Sequence, residues 1–152
     1  MKWLVLIAIV AFIASQITRL RPSARDAQLQ KLRQSATRSG LLVRFWTLRS
    51  SGLSLRKLPE SGFVYILPWS RGSVVSPRWA LYLSEQGECS SLAGSPPGVA
   101  HDWLNAFQQQ FPAAWALLES TDVGLSVLWQ ERGTEKDIED LASAMKLLLK
   151  SL

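Results

Sequence analysis

The stretch TEKDIEDLASAMKLLLKSL (134–152) decides the fold class. Thr134 opens it with Asp137 three residues on, the spacing at which two side chains satisfy each other's exposed backbone N–H groups at a helix start. Glu135, Asp137, Glu139 and Asp140 crowd the beginning, while Lys146 and Lys150 sit near the end, so the charges oppose the helix dipole. Ile138, Leu141, Ala142, Met145, Leu148, Leu149 and Leu152 share one apolar face. That pattern predicts a helix packed on a sheet.

Working back from this helix, Ala114–Glu119 and Val123–Gln130 read as two strands around the turn Ser120–Thr121–Asp122. Before them, Trp103, Leu104, Phe107 and Phe111 fall at helical spacing, predicting a helix over 101–111 that Pro112 ends. Residues 84–100, dense in Ser, Gly and Pro, read as a surface connection. FVYIL (63–67) and RWALYL (78–83) read as strands and antiparallel neighbours, joined by the loop 68–77. LLVRFWTLR (41–49) is a further strand, and Ser50, Ser51 and Gly52 signal a hairpin turn into LSLRKL (53–58). The expectation is an α+β domain over 41–152, with five or six mostly antiparallel strands and two packed helices. With 152 residues, 47% of them hydrophobic and seven of them Trp, a disordered chain is excluded.

The N-terminal end has a different character. WLVLIAIVAFIA (3–14) is an unbroken apolar run, and residues 1–20 as a helix span about 30 Å, the thickness of a bilayer's hydrocarbon core. Cleavage after Ala14 or Ser15 would put Phe12 or Ile13 where a signal peptidase needs a small residue, and no Cys follows for lipidation. The reading is an uncleaved transmembrane anchor over 1–20. Over 21–40, Ser23 and Asp26 cap a basic juxtamembrane helix with a narrow stripe of Ala24, Ala27, Leu29, Leu32 and Ala36, which Gly40 terminates.

Charge divides the chain. Residues 19–57 hold ten Arg or Lys against the single acid Asp26, whereas 58–152 hold six basic residues against eleven acids. Arg19, Arg21, Arg25, Lys31, Arg33 and Arg38 form a collar beside the apolar run, suited to anionic lipid headgroups. The collar follows the segment, so a bacterial inner-membrane protein with a periplasmic N-terminus and a cytoplasmic C-terminal domain is expected. No aromatic residue is interleaved between Arg19 and Arg44, so no nucleic-acid partner is expected.

The residues that carry chemistry are few. Cys89 and His101 are the sole Cys and His, which excludes an intramolecular disulfide and a Cys/His metal cluster. Cys89 with His101, and Asp102 or Asp122 orienting the imidazole, is the one nucleophilic arrangement available, but no nucleophile motif surrounds Cys89. There is no GxSxG, HExxH or phosphate-cradling glycine loop, so neither an enzyme nor a cofactor is expected. Trp46, Trp79, Trp103, Trp115 and Trp129 read as core, and Trp3 as a membrane-boundary anchor. Trp69, beside Arg71 in LPWSRG (67–72), is the candidate partner contact.

LRPSARDAQLQKLRQSATRSGLLVRF (20–45) directly after the apolar run, and Trp129–Gln130–Glu131–Arg132–Gly133 before the acidic helix, resemble a group of uncharacterised single-pass inner-membrane proteins of gammaproteobacteria. Some members of that group are labelled as an auxiliary preprotein-translocase subunit, which shares the layout of anchor and cytoplasmic tail. This chain lacks the paired-glycine turn of that subunit's tail. Anchor, collar and acidic domain together lead to the expectation of a membrane-anchored, non-enzymatic accessory or scaffold protein that binds a membrane-complex partner. A translocase-type subunit and a Cys/His-dependent enzyme stand as alternatives.

Overall fold

The computed structural model describes residues 23–48, 58–70, 77–111, 114–131 and 133–152, together with Trp3, Ile7 and Phe12. The chain divides into two compact units, Met1–Lys31 and Leu32–Leu152. In the first, Trp3, Ile7 and Phe12 are helical and exposed. The rest of the expected 1–20 anchor lies outside the described residues, among which no helix is long and apolar enough to cross a membrane. Helix α1, Ala24–Arg38, starts on the expected cap: the Ser23 N–H donates to the Asp26 carboxylate at 3.2 Å and the Asp26 N–H donates to Ser23 Oγ at 3.1 Å.

In the second unit, α1 buries Leu32, Ser35 and Ala36 and ends at Gly40, whose φ of +88° is left-handed. The Leu41 N–H reaches back to the Ala36 carbonyl at 3.0 Å, and Leu41 is itself buried, which completes a Schellman end. Six strands follow: β1 Leu42–Thr47, β2 Ser61–Pro68, β3 Trp79–Leu83, β4 Cys89–Ala93, β5 Ala116–Ser120 and β6 Gly124–Trp129. They form one sheet in the order β1-β2-β6-β5-β3-β4, every adjacent pair antiparallel. Helices α2, Gly98–Gln110, and α3, Glu135–Ser151, complete the α+β fold.

The structure corrects three expectations. β2 and β3 run in opposite directions but are not neighbours, because the β5–β6 hairpin lies between them. Trp69 pins that insertion: its backbone N–H donates to the Val123 carbonyl at 3.2 Å and its indole to the Thr121 carbonyl at 2.7 Å. Gly124 makes the close pass between β6 and β2, since a Cβ there would run into the Leu67 carbonyl oxygen. Second, the supposed connection 84–100 contains β4, an edge strand whose CSSLA sequence has little β-propensity and which is held by pairing with β3 alone. Third, α2 begins at Gly98, three residues before His101, with Pro97 at the cap in an extended conformation. The expected hairpin turn 50–52, most of the strand 53–58 and Pro112 lie outside the described residues.

Side chains alternate across the sheet, and both faces are apolar, which is why WALYL and GLSVLW read as continuous runs. One face carries Tyr65, Leu67, Leu81, Leu118, Leu125, Val127 and Trp129. Against it pack α2, through Leu104 and Phe107, and α3, through Ile138, Leu141, Ala142, Met145 and Leu148. Phe107 meets Trp129 edge-on, with ring centroids 5.8 Å apart. Trp46, Leu58, Val64, Ile66, Ala80, Tyr82, Leu117 and Leu128 form the core of the opposite face. The capping box expected at Thr134 is present, the Thr134 N–H donating to the Asp137 carboxylate at 2.6 Å.

Candidate functional site

Registry across the sheet builds a cavity. Ile66 pairs with Ser126, Ser126 with Glu119, Glu119 with Ala80, and Ala80 with Ala93, giving one row of side chains across five strands on the face opposite α2 and α3. The adjacent row, Val64–Leu128–Leu117–Tyr82, is large and buried. Ser126, Ala80 and Ala93 are small, so their row leaves a hollow. The resulting cavity of about 340 Å³ is lined by these residues together with Trp46, Val64 and the β5–β6 turn.

Two polar groups stand out in this lining. Glu119 lies in the middle of the row, and burial alone pushes its carboxyl up to about 7, with no neighbouring charge or hydrogen bond contributing. Trp46 is only 6% exposed, and its indole N–H is buried with no acceptor among the described residues. At the rim, Arg78 pairs with Asp122 at 3.1 Å, and both side chains are exposed. Sequence reasoning treated Trp46 as core and passed over Glu119. The available signal was an acid at an inward position of ALLES, in strand phase with Trp115 and Leu117.

The structure brings together Cys89 and His101, whose Sγ and Nδ1 are 3.5 Å apart where β4 meets α2. Neither candidate carboxylate completes the pair: Asp102 is exposed on α2 and Asp122 is engaged by Arg78. Burial raises the Cys89 thiol above its ordinary range, opposite to the shift that activates a nucleophile.

Of the basic collar, Arg25, Lys31 and Arg38 are exposed on α1, and Arg19 and Arg21 lie outside the described residues. Arg33 is engaged within the second unit. Its guanidinium donates to both carboxylate oxygens of Glu131 at 3.0 and 2.7 Å, and its carbon lies 3.6 Å from the centre of the Phe63 ring. The Tyr65 hydroxyl donates to the same carboxylate at 2.6 Å. Burial first, and then that bond, push the Tyr65 hydroxyl well above the usual phenol range. Glu131 holds a left-handed φ of 48°, a strained backbone for a residue with a Cβ, in place beneath this three-way clamp. Trp69 is half-buried, its indole occupied by the Thr121 carbonyl, and Arg71 lies outside the described residues.

Fold and cavity together define a class: an α+β domain on a six-stranded antiparallel sheet, with helices packed on one face and a cavity beside Glu119 on the other. Comparison with protein-family models, curated proteins and solved structures gave no match for this chain.

Proposed function

We propose that this chain is a membrane-tethered, non-enzymatic accessory protein of the bacterial inner membrane. Residues 1–20 anchor it, the basic neck contacts anionic headgroups on the cytoplasmic side, and the acidic domain binds a protein of a membrane complex. The carrying observation is the division of charge, ten basic residues to one acid over 19–57 against six to eleven over 58–152, beside an apolar run of bilayer length. The exposure of Arg25, Lys31 and Arg38 supports the lipid-facing role of the neck. Tethering concentrates the domain at the bilayer, so a modest interface suffices for partner capture.

The test is a mild-detergent pull-down of the chromosomally tagged protein from crosslinked membranes, read by quantitative mass spectrometry. One reproducible membrane complex, lost when 58–152 is deleted and the anchor kept, is the expected result. Co-isolation with the preprotein channel would make the protein a translocase-type subunit. Recovery of the protein alone would overturn the accessory role. A second reading, thiol chemistry, rests on the 3.5 Å Cys89–His101 pair. It requires that Cys89→Ala, His101→Ala fail to restore a deletion phenotype.

A further inference from the structure

We propose that the cavity beside Glu119 binds a small organic cation: an ammonium group on an apolar body, with a hydrogen-bond acceptor at the far end. Among the described lining residues the charged groups are Arg78, Asp122 and Glu119, and the first two pair with each other. Glu119 is central in the row that floors the cavity, and the rim cation Arg78 is already engaged by Asp122. An ionised carboxylate in such a cavity needs a counter-ion, which a ligand ammonium supplies. An anionic ligand would be repelled, and a neutral one would gain nothing from the charge.

The remaining lining sets the body and the far end of the ligand. Val64, Ile66, Ala80 and Ala93 make apolar walls. Trp46, buried and without an acceptor for its indole N–H among the described residues, donates to an oxygen on the ligand. Trp46 stands on β1 opposite Gly62, four residues along from the row of Ile66 and Glu119 and three strand spacings from β5, or roughly 20 Å from Glu119 between backbones. Two side chains reaching in from those ends leave the length of one ring and a short arm. The 340 Å³ volume is at the small end for a ligand site, which suits the same size. This inference does not rest on the partner-binding role: either stands if the other fails.

Tyramine is the probe, with its phenol oxygen, ring and ammonium. Its controls are para-hydroxyphenylacetate, which replaces the ammonium with an anion, and para-ethylphenol, which removes the charge. The full chain in lipid nanodiscs is titrated with each while the indole nitrogen–proton resonances are followed, that of Trp46 being assigned through Trp46→Phe. Tyramine should shift the Trp46 resonance saturably and bind at least about tenfold more tightly than either control. Glu119→Gln should weaken tyramine by about tenfold or more and leave para-ethylphenol unchanged. Ala93→Leu, which narrows the cavity from the edge strand, should abolish the tyramine shift while the other indole resonances stay in place. Equal responses to all three compounds, no response to tyramine, or tyramine binding indifferent to both substitutions would overturn the proposal.

Discussion

Replacing Glu119 with Gln should stabilise the domain above neutral pH and leave it unchanged in mild acid. In the unfolded chain the carboxyl ionises near 4.5, whereas in the folded domain burial holds the proton until about 7. Between those values the folded state binds more protons than the unfolded state. Stability contributed by the protonated carboxyl is therefore fully present below 4.5, falls as pH rises, and is lost above about 7. At 1.36 kcal/mol per pH unit, the gap corresponds to an upper bound of about 3 kcal/mol. Residual solvent at the partly exposed carboxyl brings this to about 2 kcal/mol. Gln cannot ionise, so the variant escapes the loss. Urea unfolding of the full chain in mild detergent, followed by indole fluorescence at about pH 4 and about pH 8, measures the effect. Wild type and variant should agree at the lower pH, and the variant should be more stable by about 2 kcal/mol at the higher. Other groups titrate in both proteins, so the difference between them isolates Glu119. Wild type and variant equally stable at the higher pH would refute the reasoning.

The clamp on Glu131 should behave as a unit: Tyr65→Phe should cost about 1 kcal/mol and Glu131→Gln about 1–3 kcal/mol in the same unfolding assay. The Arg33→Met and Glu131→Gln effects should be coupled, and strict additivity in a double-mutant cycle would show that the bidentate pair contributes nothing. Because burial raises the Cys89 thiol, iodoacetamide should label it more slowly at neutral pH than it labels a free thiol such as glutathione. Faster labelling would return weight to thiol chemistry.

Local chemistry was legible where one element carries its own signal. The Thr134–Asp137 and Ser23–Asp26 caps, the buried stripe of α3 and the left-handed stop at Gly40 all involve residues within a few positions of one another. The sequence periodicities also gave the α+β class and the antiparallel sense of the strands. β4 escaped because an edge strand of Cys, Ser and Ala has no apolar alternation of its own and is held by one neighbour.

What the sequence determined by itself was therefore most of the described elements, two helix caps and the division of charge along the chain, since each follows from spacing and side-chain type. Strand order and the cavity were decided only in three dimensions. The β5–β6 hairpin is local in sequence, yet its insertion between β2 and β3 depends on Gly124 passing the Leu67 carbonyl and on Trp69 bonding the hairpin turn. No short-range pattern encodes those contacts. That insertion sets Ile66, Ser126, Glu119, Ala80 and Ala93 in one row. An acid unremarkable in the sequence thereby becomes a desolvated carboxyl, because its burial is imposed by strands distant along the chain.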